Sequence, residues 1–504
     1  MLDSLLAALF IPATEDPFTA AWLWRRIGDF CAAGMGVVSL KFLCFTAATF
    51  LVYFLTPRRW RQWPLLLASG FFYCLFSLKA AAFLGASAVS VYLCGLALAA
   101  RRRPRLMLGA TVIFNLALLV YAKYGGVICP GAPIVVPLGI SFYTLQAIAY
   151  VVDVARGNCA AERNPFRLLL FLTFFPCIMQ GPISRYSQLA GQLWTGHRFS
   201  IDRLRDGLQL ALWGFFKKMV IADRVAVFVN HVFAADAKCE GLMIVIAAFF
   251  YAVQIYTDFS GCVDISRGIA QVFGIELVNN FERPYFAASV KEFWRRWHIS
   301  LSSWLKDYVY IPLGGNRHGN FRKHLNVILV FAVSGLWHGT GFNFFLWGLL
   351  HGVYQLFDAL TAKFRRRVYE RAGIVRETFS FVWGERLLTF ALVTFAWIFF
   401  RAESAAQAFS LIRRMFVFNP WVLTDGSLVK SGLEVADWLV IVVTLPLLLS
   451  ISLLKERGFH LRECLNRQLL PFRWAVEIAA ILVTLLAGVY GPGYAASQFI
   501  YMQF

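Results

Sequence analysis

The sequence predicts an all-helical integral membrane protein, and three observations carry that prediction. Of the 504 residues, 59% are hydrophobic and 15% are charged, against roughly 45–50% and roughly 25% in soluble globular chains. Mean hydropathy is +0.63, with 49 Phe and 16 Trp. The Lys and Arg behind a net charge of +20 are gathered in short loops between apolar runs: Arg58, Arg59 and Arg61, then Arg101, Arg102, Arg103 and Arg105, then Arg365, Arg366 and Arg367, then Arg413 and Arg414. Basic patches can bind phosphate backbones, but this distribution is that of the cytoplasmic loops of a polytopic membrane protein. A soluble enzyme, a disordered scaffold, a secreted disulfide framework and a nucleic-acid-binding protein are therefore not expected.

A spanning helix needs about 20 mainly apolar residues, because the hydrocarbon core is about 30 Å thick and a helix rises about 1.5 Å per residue. Taken in order, the apolar segments are 36–56, 64–79, 81–100, 106–122, 133–152, 166–182, 206–222, 241–257, 325–337, 340–360, 386–400, 437–454 and 473–491. Ahead of them, residues 1–35 read as an amphipathic lead-in lying on the membrane. The first apolar run, Leu2 to Pro12, has no basic flank and is followed by Glu15, Asp16 and Pro17, so a cleaved signal peptide is not expected. Placing the basic loops 57–63 and 101–105 on the cytoplasmic side makes 64–79 and 81–100 a hairpin. Segment 106–122 then exits to an uncharged extracytoplasmic connection, Gly125 to Val136. The chain returns through 137–152 to a basic loop carrying Arg156, Arg163 and Arg167. Segments 133–152 and 166–186 are short or interrupted by Gly and Pro. Such backbone is tolerated at membrane depth only inside protein or beside a water-filled cavity, so re-entrant helices are expected there.

No internal repeat or linker divides the chain, and 36–504 reads as one transmembrane domain. Its largest polar intervals are 279–324 and 361–386. The ten cysteines are scattered, mostly in apolar stretches and without a CxxC pair, so neither disulfide pairing nor a zinc site is expected.

The first interval holds the first chemical centre. Phe293, Trp297, Leu301 and Trp304 recur at four-, four- and three-residue steps, which predicts one amphipathic helix in the cytoplasmic interface with its Trp rings at headgroup level. His298 sits at the edge of that face, one turn from Trp294 and from Ser302. As a lone interfacial histidine it reads first as a hydrogen-bonded anchor. The second centre is Ser334-Gly-Leu-Trp-His338-Gly-Thr-Gly341. An ionisable residue inside an apolar run is a functional candidate, because its burial there is costly and demands a polar partner. Gly335, Gly339 and Gly341 allow close approach of backbone or ligand. His351 follows thirteen residues on, about 220° round a continuous helix, and reads as structural. A neutral imidazole in a dry pocket can take a proton from an alcohol and return it to a leaving thiolate. Serine-hydrolase, zinc-protease and P-loop motifs are absent. The loop Leu313-Gly-Gly-Asn-Arg-His-Gly-Asn-Phe-Arg-Lys323 is glycine-rich and basic, suited either to the phosphates of a coenzyme A or phosphopantetheine donor or to plain solvation.

Glu292-Phe-Trp-Arg-Arg-Trp-His298-Ile-Ser-Leu-Ser, Tyr310-Ile-Pro-Leu-Gly-Gly-Asn316-Arg and Gly335-Leu-Trp-His338-Gly resemble the signature of the membrane-bound O-acyltransferases. The similar branch contains alginate O-acetyltransferase and teichoic-acid D-alanyltransferase membrane subunits. Pro137-Leu-Gly-Ile-Ser-Phe142, Phe175-Pro-Cys-Ile-Met-Gln-Gly-Pro182, Asp258-Phe-Ser-Gly-Cys-Val-Asp264 and Phe499-Ile-Tyr-Met-Gln-Phe504 extend the resemblance along nearly the whole chain. The resemblance implies a ring of about 11–13 tilted transmembrane and re-entrant helices around a thin central tunnel, in a bacterial cytoplasmic membrane. It implies that 325–360 forms the catalytic helices, that His338 is the catalytic base and that His298 is a second active-site histidine on the cytoplasmic side. Trp297, Trp337, Asn316 and Ser302 would line or shape the substrate path. Asp258 and Asp264 match acidic family positions, with helix capping or pairing with Arg267 as the structural reading. It implies no resident cofactor. The donor would be an acyl-CoA or an acyl carrier protein, and the acceptor a polysaccharide or an extracytoplasmic partner acyltransferase. D-alanyl transfer to teichoic acid is the alternative. A solute transporter would show paired half-helices in two related halves, and an export scaffold would show no thioester consumption.

Overall fold

In the computed structural model the described residues are 36–100, 104–132, 134–235 and 237–490. The 1–35 lead-in and the ending at 499–504 lie outside them. The described chain is helical from end to end, and its only extended pairing is an isolated antiparallel bridge between Phe281 and Trp297. Six of the described helices are long and apolar enough to cross a membrane: Leu78–Ala99, Pro104–Ile128, Leu242–Val272, Phe379–Arg401, Val435–Glu456 and Leu470–Ala487. The chain is a multi-pass membrane protein. The Leu, Val and Phe side chains that cover Val435–Glu456 and Leu470–Ala487 face outward, the arrangement that lipid, unlike water, favours.

Leu242–Val272 differs from the other five because most of it is buried. It packs along Ile201–Phe215, and the contact is made by glycines facing each other. A Cβ added at Gly207 would sit 2.6 Å from the carbonyl oxygen of Gly268, and one at Gly214 would sit 2.5 Å from that of Gly261. Each pair is seven residues apart on its own helix, two turns, so both contacts fall on one seam. Without a hydrophobic driving force between helices in lipid, such small-residue seams let backbones approach and gain dispersion contacts.

The hairpin expected of 64–79 and 81–100 is present as Gln62–Phe76 and Leu78–Ala99, hinged at Ser77, whose Oγ accepts from the Ala80 N–H. The interruptions expected near 133–152 and 166–186 are present too. A left-handed Gly139 precedes Ile140–Arg156. The later stretch breaks into Pro165–Thr173, a single turn Phe175–Ile178 and an irregular strip before Tyr186–Trp194. This broken backbone is buried in protein and its donors are met by side chains. The Phe175 N–H donates to Ser69 Oγ (3.2 Å) and the Ile183 N–H to Ser300 Oγ (3.0 Å).

The amphipathic helix expected over 293–304 does not form as one piece. Val290–Arg296 stops, Trp297 is extended, His298 takes φ 44° and ψ 53°, and Ile299–Leu305 starts anew. The break has a cause in the preceding strip. The Glu282 N–H donates to the Arg296 carbonyl (2.8 Å), the Ile299 N–H to the Asn280 carbonyl (3.1 Å) and the Ser300 N–H to Asn280 Oδ1 (2.9 Å). Nor does this face turn to lipid, since Phe293, Trp297, Leu301 and Trp304 are all buried in the protein.

The glycine seam is open to test. Gly214→Ala should lower stability by about 1–3 kcal/mol, the usual cost of overpacking. Gly85→Ala, at a site where an added Cβ meets nothing within 4 Å, should cause no loss. Thermal unfolding of both variants in detergent makes the comparison.

Candidate active site

Two helices end at the centre of the molecule. Gly319–His338 terminates at His338, and after the extended Gly339 the chain re-enters as Phe342–Arg371. The two pack closely because Gly335 and Gly348 face backbone. A Cβ on Gly348 would lie 3.1 Å from the Gly335 nitrogen, and one on Gly335 3.1 Å from the Phe344 carbonyl carbon. The glycines around His338 therefore serve helix contact first. His338 and His351 stand on different helices, which corrects the single-helix angle drawn from their spacing; the cause is the break at Gly339–Gly341.

His298 reaches the same place from the other side. Its left-handed backbone is one of two positive-φ non-glycine positions among the described residues, the other being Arg283 in the strip paired with it. Such conformations cost on the order of 1–3 kcal/mol and persist where surrounding structure enforces them, commonly at functional sites. Here Asn280, fully buried, enforces it through both of its hydrogen bonds. Sequence reasoning did not single out Asn280, and its signal lies in a contact twenty residues away rather than in local pattern.

The indole of Trp337 joins the two imidazoles. Its ring centroid is 4.8 Å from that of His338 and 6.3 Å from that of His298. His298 also packs edge-on to Phe259 of the central helix at 4.8 Å, and His338 packs against Trp347 at 5.0 Å and Phe400 at 5.3 Å. The histidines are 0% and 3% exposed. His351 takes a structural place behind them, accepting at Nδ1 a hydrogen bond from Trp294 Nε1 (3.2 Å).

A cavity of about 970 Å³ opens beside this cluster. Lys123, Tyr251, Gln254, Thr340, Arg401 and Glu403 give it polar walls, and it ends against Phe142, Gly339 and Phe344. Gly339 is the residue after His338, and Phe142 touches Trp337 at 5.9 Å between centroids. Neither imidazole lines this cavity. A second, more open depression of about 490 Å³ is formed by Pro312, Leu313, Gly314, His318 and Arg322, in the basic glycine-rich loop. Asn326 fastens that loop, donating to the carbonyls of Leu313 (3.1 Å) and Gly315 (3.0 Å).

The other residues singled out in the sequence separate into four groups. Trp337 is between the histidines, as described. Trp297 is buried, stacked on Phe293 with Phe281 edge-on and Trp397 tilted against it, and Ser302 Oγ donates to the Trp297 carbonyl (3.3 Å). These two shape the His298 segment from behind. Asn316 is exposed on the loop and is not gathered with the histidines, because the chain between Ile311 and Gly319 turns outward as a surface loop. Asp258 and Asp264 belong to a buried charge cluster. Lys218 Nζ lies 2.9 Å from Asp258 and 2.8 Å from Asp223, and Lys217 Nζ lies 2.7 Å from Asp264 and donates to Ser260 Oγ at 2.9 Å. Asp264 also meets Arg267 at 3.3 Å. The two lysines lie in a π-helical turn, Phe216–Ala222, and such turns recur at functional sites. Segment 206–222 reads in sequence as an apolar span, so this cluster was not visible there.

Outside the spans, Arg296 anchors the His298 segment to the end of Val435–Glu456 by its bond to Glu456 (3.2 Å), and pairs within its own helix with Glu292 (2.6 Å). Burial works against its charge, and these two carboxylates more than offset that, so its pKa is raised.

The model of the membrane-bound O-acyltransferase family matches residues 160–382. A Pseudomonas syringae protein named "Probable alginate O-acetylase AlgI" is 35% identical over 416 residues, 78% of this chain and 77% of that protein. A Helicobacter pylori peptidoglycan O-acetyltransferase is 34% identical over 72% of this chain and 75% of its own length. A Bacillus subtilis teichoic acid D-alanyltransferase is 28% identical over 45% of this chain and 61% of its own length.

The charge cluster yields a double-mutant test. Removing one partner of a buried ion pair strands the other charge and costs about 3–5 kcal/mol, whereas replacing the pair with apolar residues is often near neutral. Asp264→Asn should therefore destabilise strongly by taking the carboxylate from Lys217, and Asp264→Asn combined with Lys217→Met should recover much of the loss, read as unfolding temperature in detergent.

Proposed function

The chain belongs to the membrane-bound O-acyltransferase family, and on that premise we propose that it passes an acetyl group from a cytoplasmic thioester towards O-acylation of a cell-surface polysaccharide. The observation that carries this reading is the convergence of His298 and His338 on Trp337, from motifs forty residues apart, one residue from a polar cavity. In the proposed reaction the acceptor hydroxyl gives its proton to the His338 imidazole. Its oxygen attacks the thioester carbonyl, the C–S bond breaks, and the proton passes to the leaving thiolate. The apolar rings around His338 exclude water, which limits hydrolysis of the donor. His298 is assigned to orienting the donor, and the basic loop carrying Asn316 to its phosphate groups.

The donor in this reading is acetyl-CoA or an acetylated carrier protein, the membrane is the bacterial cytoplasmic membrane, and the acceptor is the polysaccharide or an extracytoplasmic partner that completes the transfer. Acetyl is favoured over D-alanyl because the relatives named for acetyl transfer match 34–35% of residues over 72–78% of the chain, against 28% over 45% for the D-alanyltransferase.

His338→Ala should abolish ester formation with the protein still in the membrane, a loss of at least about 10²-fold if the imidazole supplies general base catalysis. Chemical analysis of surface polymers from cells carrying either form makes the test, and distinguishes acetyl from D-alanyl esters. Undiminished acylation by the variant would overturn the assignment.

A further inference from the structure

Gly319–His338 ends inside the molecule, so its last carbonyls need partners. The Gly339 N–H closes onto Gly335 (3.3 Å), and the carbonyls of Leu336, Trp337 and His338 lie beyond that last turn. In lipid no bulk water is available to satisfy them. Both partners come from one place, two consecutive residues of Pro104–Ile128. Lys123 Nζ donates to the carbonyls of Trp337 (2.5 Å) and His338 (3.2 Å). Tyr124 Oη shares its proton between the carbonyls of Leu336 (2.8 Å) and Gly339 (3.3 Å). The Lys123 ammonium also lies 5.6 Å from the Trp337 ring centroid, within cation–π range. It lines the polar cavity, and as a cation at a helix C-terminus it is favoured by the helix dipole.

We infer that Lys123 and Tyr124 are positioning residues for acyl transfer, a two-residue clamp that fixes the backbone of His338 and the ring of Trp337 relative to the cavity. On its other side His338 is held by the glycine contact with Phe342–Arg371, which constrains the distance between helices. The clamp instead constrains the last turn, where the direction of the imidazole is decided. Four carbonyls from 336 to 339 are held by side chains of a helix distant in sequence, so a change at Lys123 moves the reacting group without touching it. The inference rests on the reading of His338 as the base.

The test uses the full-length protein in native membranes with acetyl-CoA as the probe donor, measuring thioester consumption and ester formation. Lys123→Met should lower kcat by about 10²-fold, the loss typical of a misplacement near 1 Å, with KM for the donor changed less than about twofold. Lys123→Arg, which keeps the charge and the donors, should recover most of the rate. Tyr124→Phe, which removes one hydroxyl and keeps the ring, should lower kcat with the same unchanged KM. Wild-type kcat in Lys123→Met overturns the inference, as does a fall that Lys123→Arg does not reverse. If Lys123→Met fails to accumulate in the membrane, Tyr124→Phe decides, and a wild-type kcat there overturns it. His338→Ala measured alongside separates the two claims. Activity in His338→Ala would remove the functional reading itself, whereas inactive His338→Ala with fully active clamp variants would remove only the clamp.

Discussion

The structure depends on one constraint, that a polar group carried into the apolar interior must bring or find its own partner. Two solutions are visible. Lys217 and Lys218 are matched by Asp264, Asp258 and Asp223, and the end of Gly319–His338 is matched by Lys123 and Tyr124. Each solution needs two helices held in fixed register, and the glycine contacts at Gly207, Gly214, Gly261 and Gly268 supply that register for the first. Packing and electrostatics are thus one problem here. A seam that slipped by a residue would part the lysines from their carboxylates.

The same constraint explains why the histidines sit where they do. A buried imidazole that stays neutral is far less costly than a buried ammonium or carboxylate. Around His298 and His338 the neighbours are mostly rings, Phe259, Trp337, Trp347 and Phe400, with the charged clusters kept on other faces of the central helix. This separation suits a general base, which acts from a neutral resting state. The polar cavity bounded by Arg401 and Glu403 comes up to this apolar cluster and stops at Phe142 and Phe344.

Much of this was legible in the sequence, and the parts that were not share a cause. Composition and loop charge gave the membrane class, and the interruptions near 139 and 174–185 appeared as short, Gly- and Pro-broken segments. The family motifs brought His298 and His338 forward although local pattern alone read the first of them as a structural anchor. The break at Trp297–His298 stayed hidden because the aromatic spacing runs through it unchanged. Two short helices packing on the same rings keep a helical period across a joint. Lys217 and Lys218 were absorbed into an apolar segment because two of their partners, Asp258 and Asp264, stand on another helix far along the chain. Asn280, Lys123 and Tyr124 carry no local mark at all, since each acts on backbone that only the tertiary fold brings near.

The left-handed turn at His298 has a consequence for how this site would decay. Glycine and asparagine accept that backbone geometry at least as readily as histidine does, whereas valine or isoleucine would be excluded by their branched Cβ. A lineage released from selection for its chemistry can therefore exchange the imidazole at 298 for a small residue and keep its shape intact. If His298 orients the donor as proposed, a chain of this architecture with glycine or asparagine at that position would keep its fold and lose that orientation.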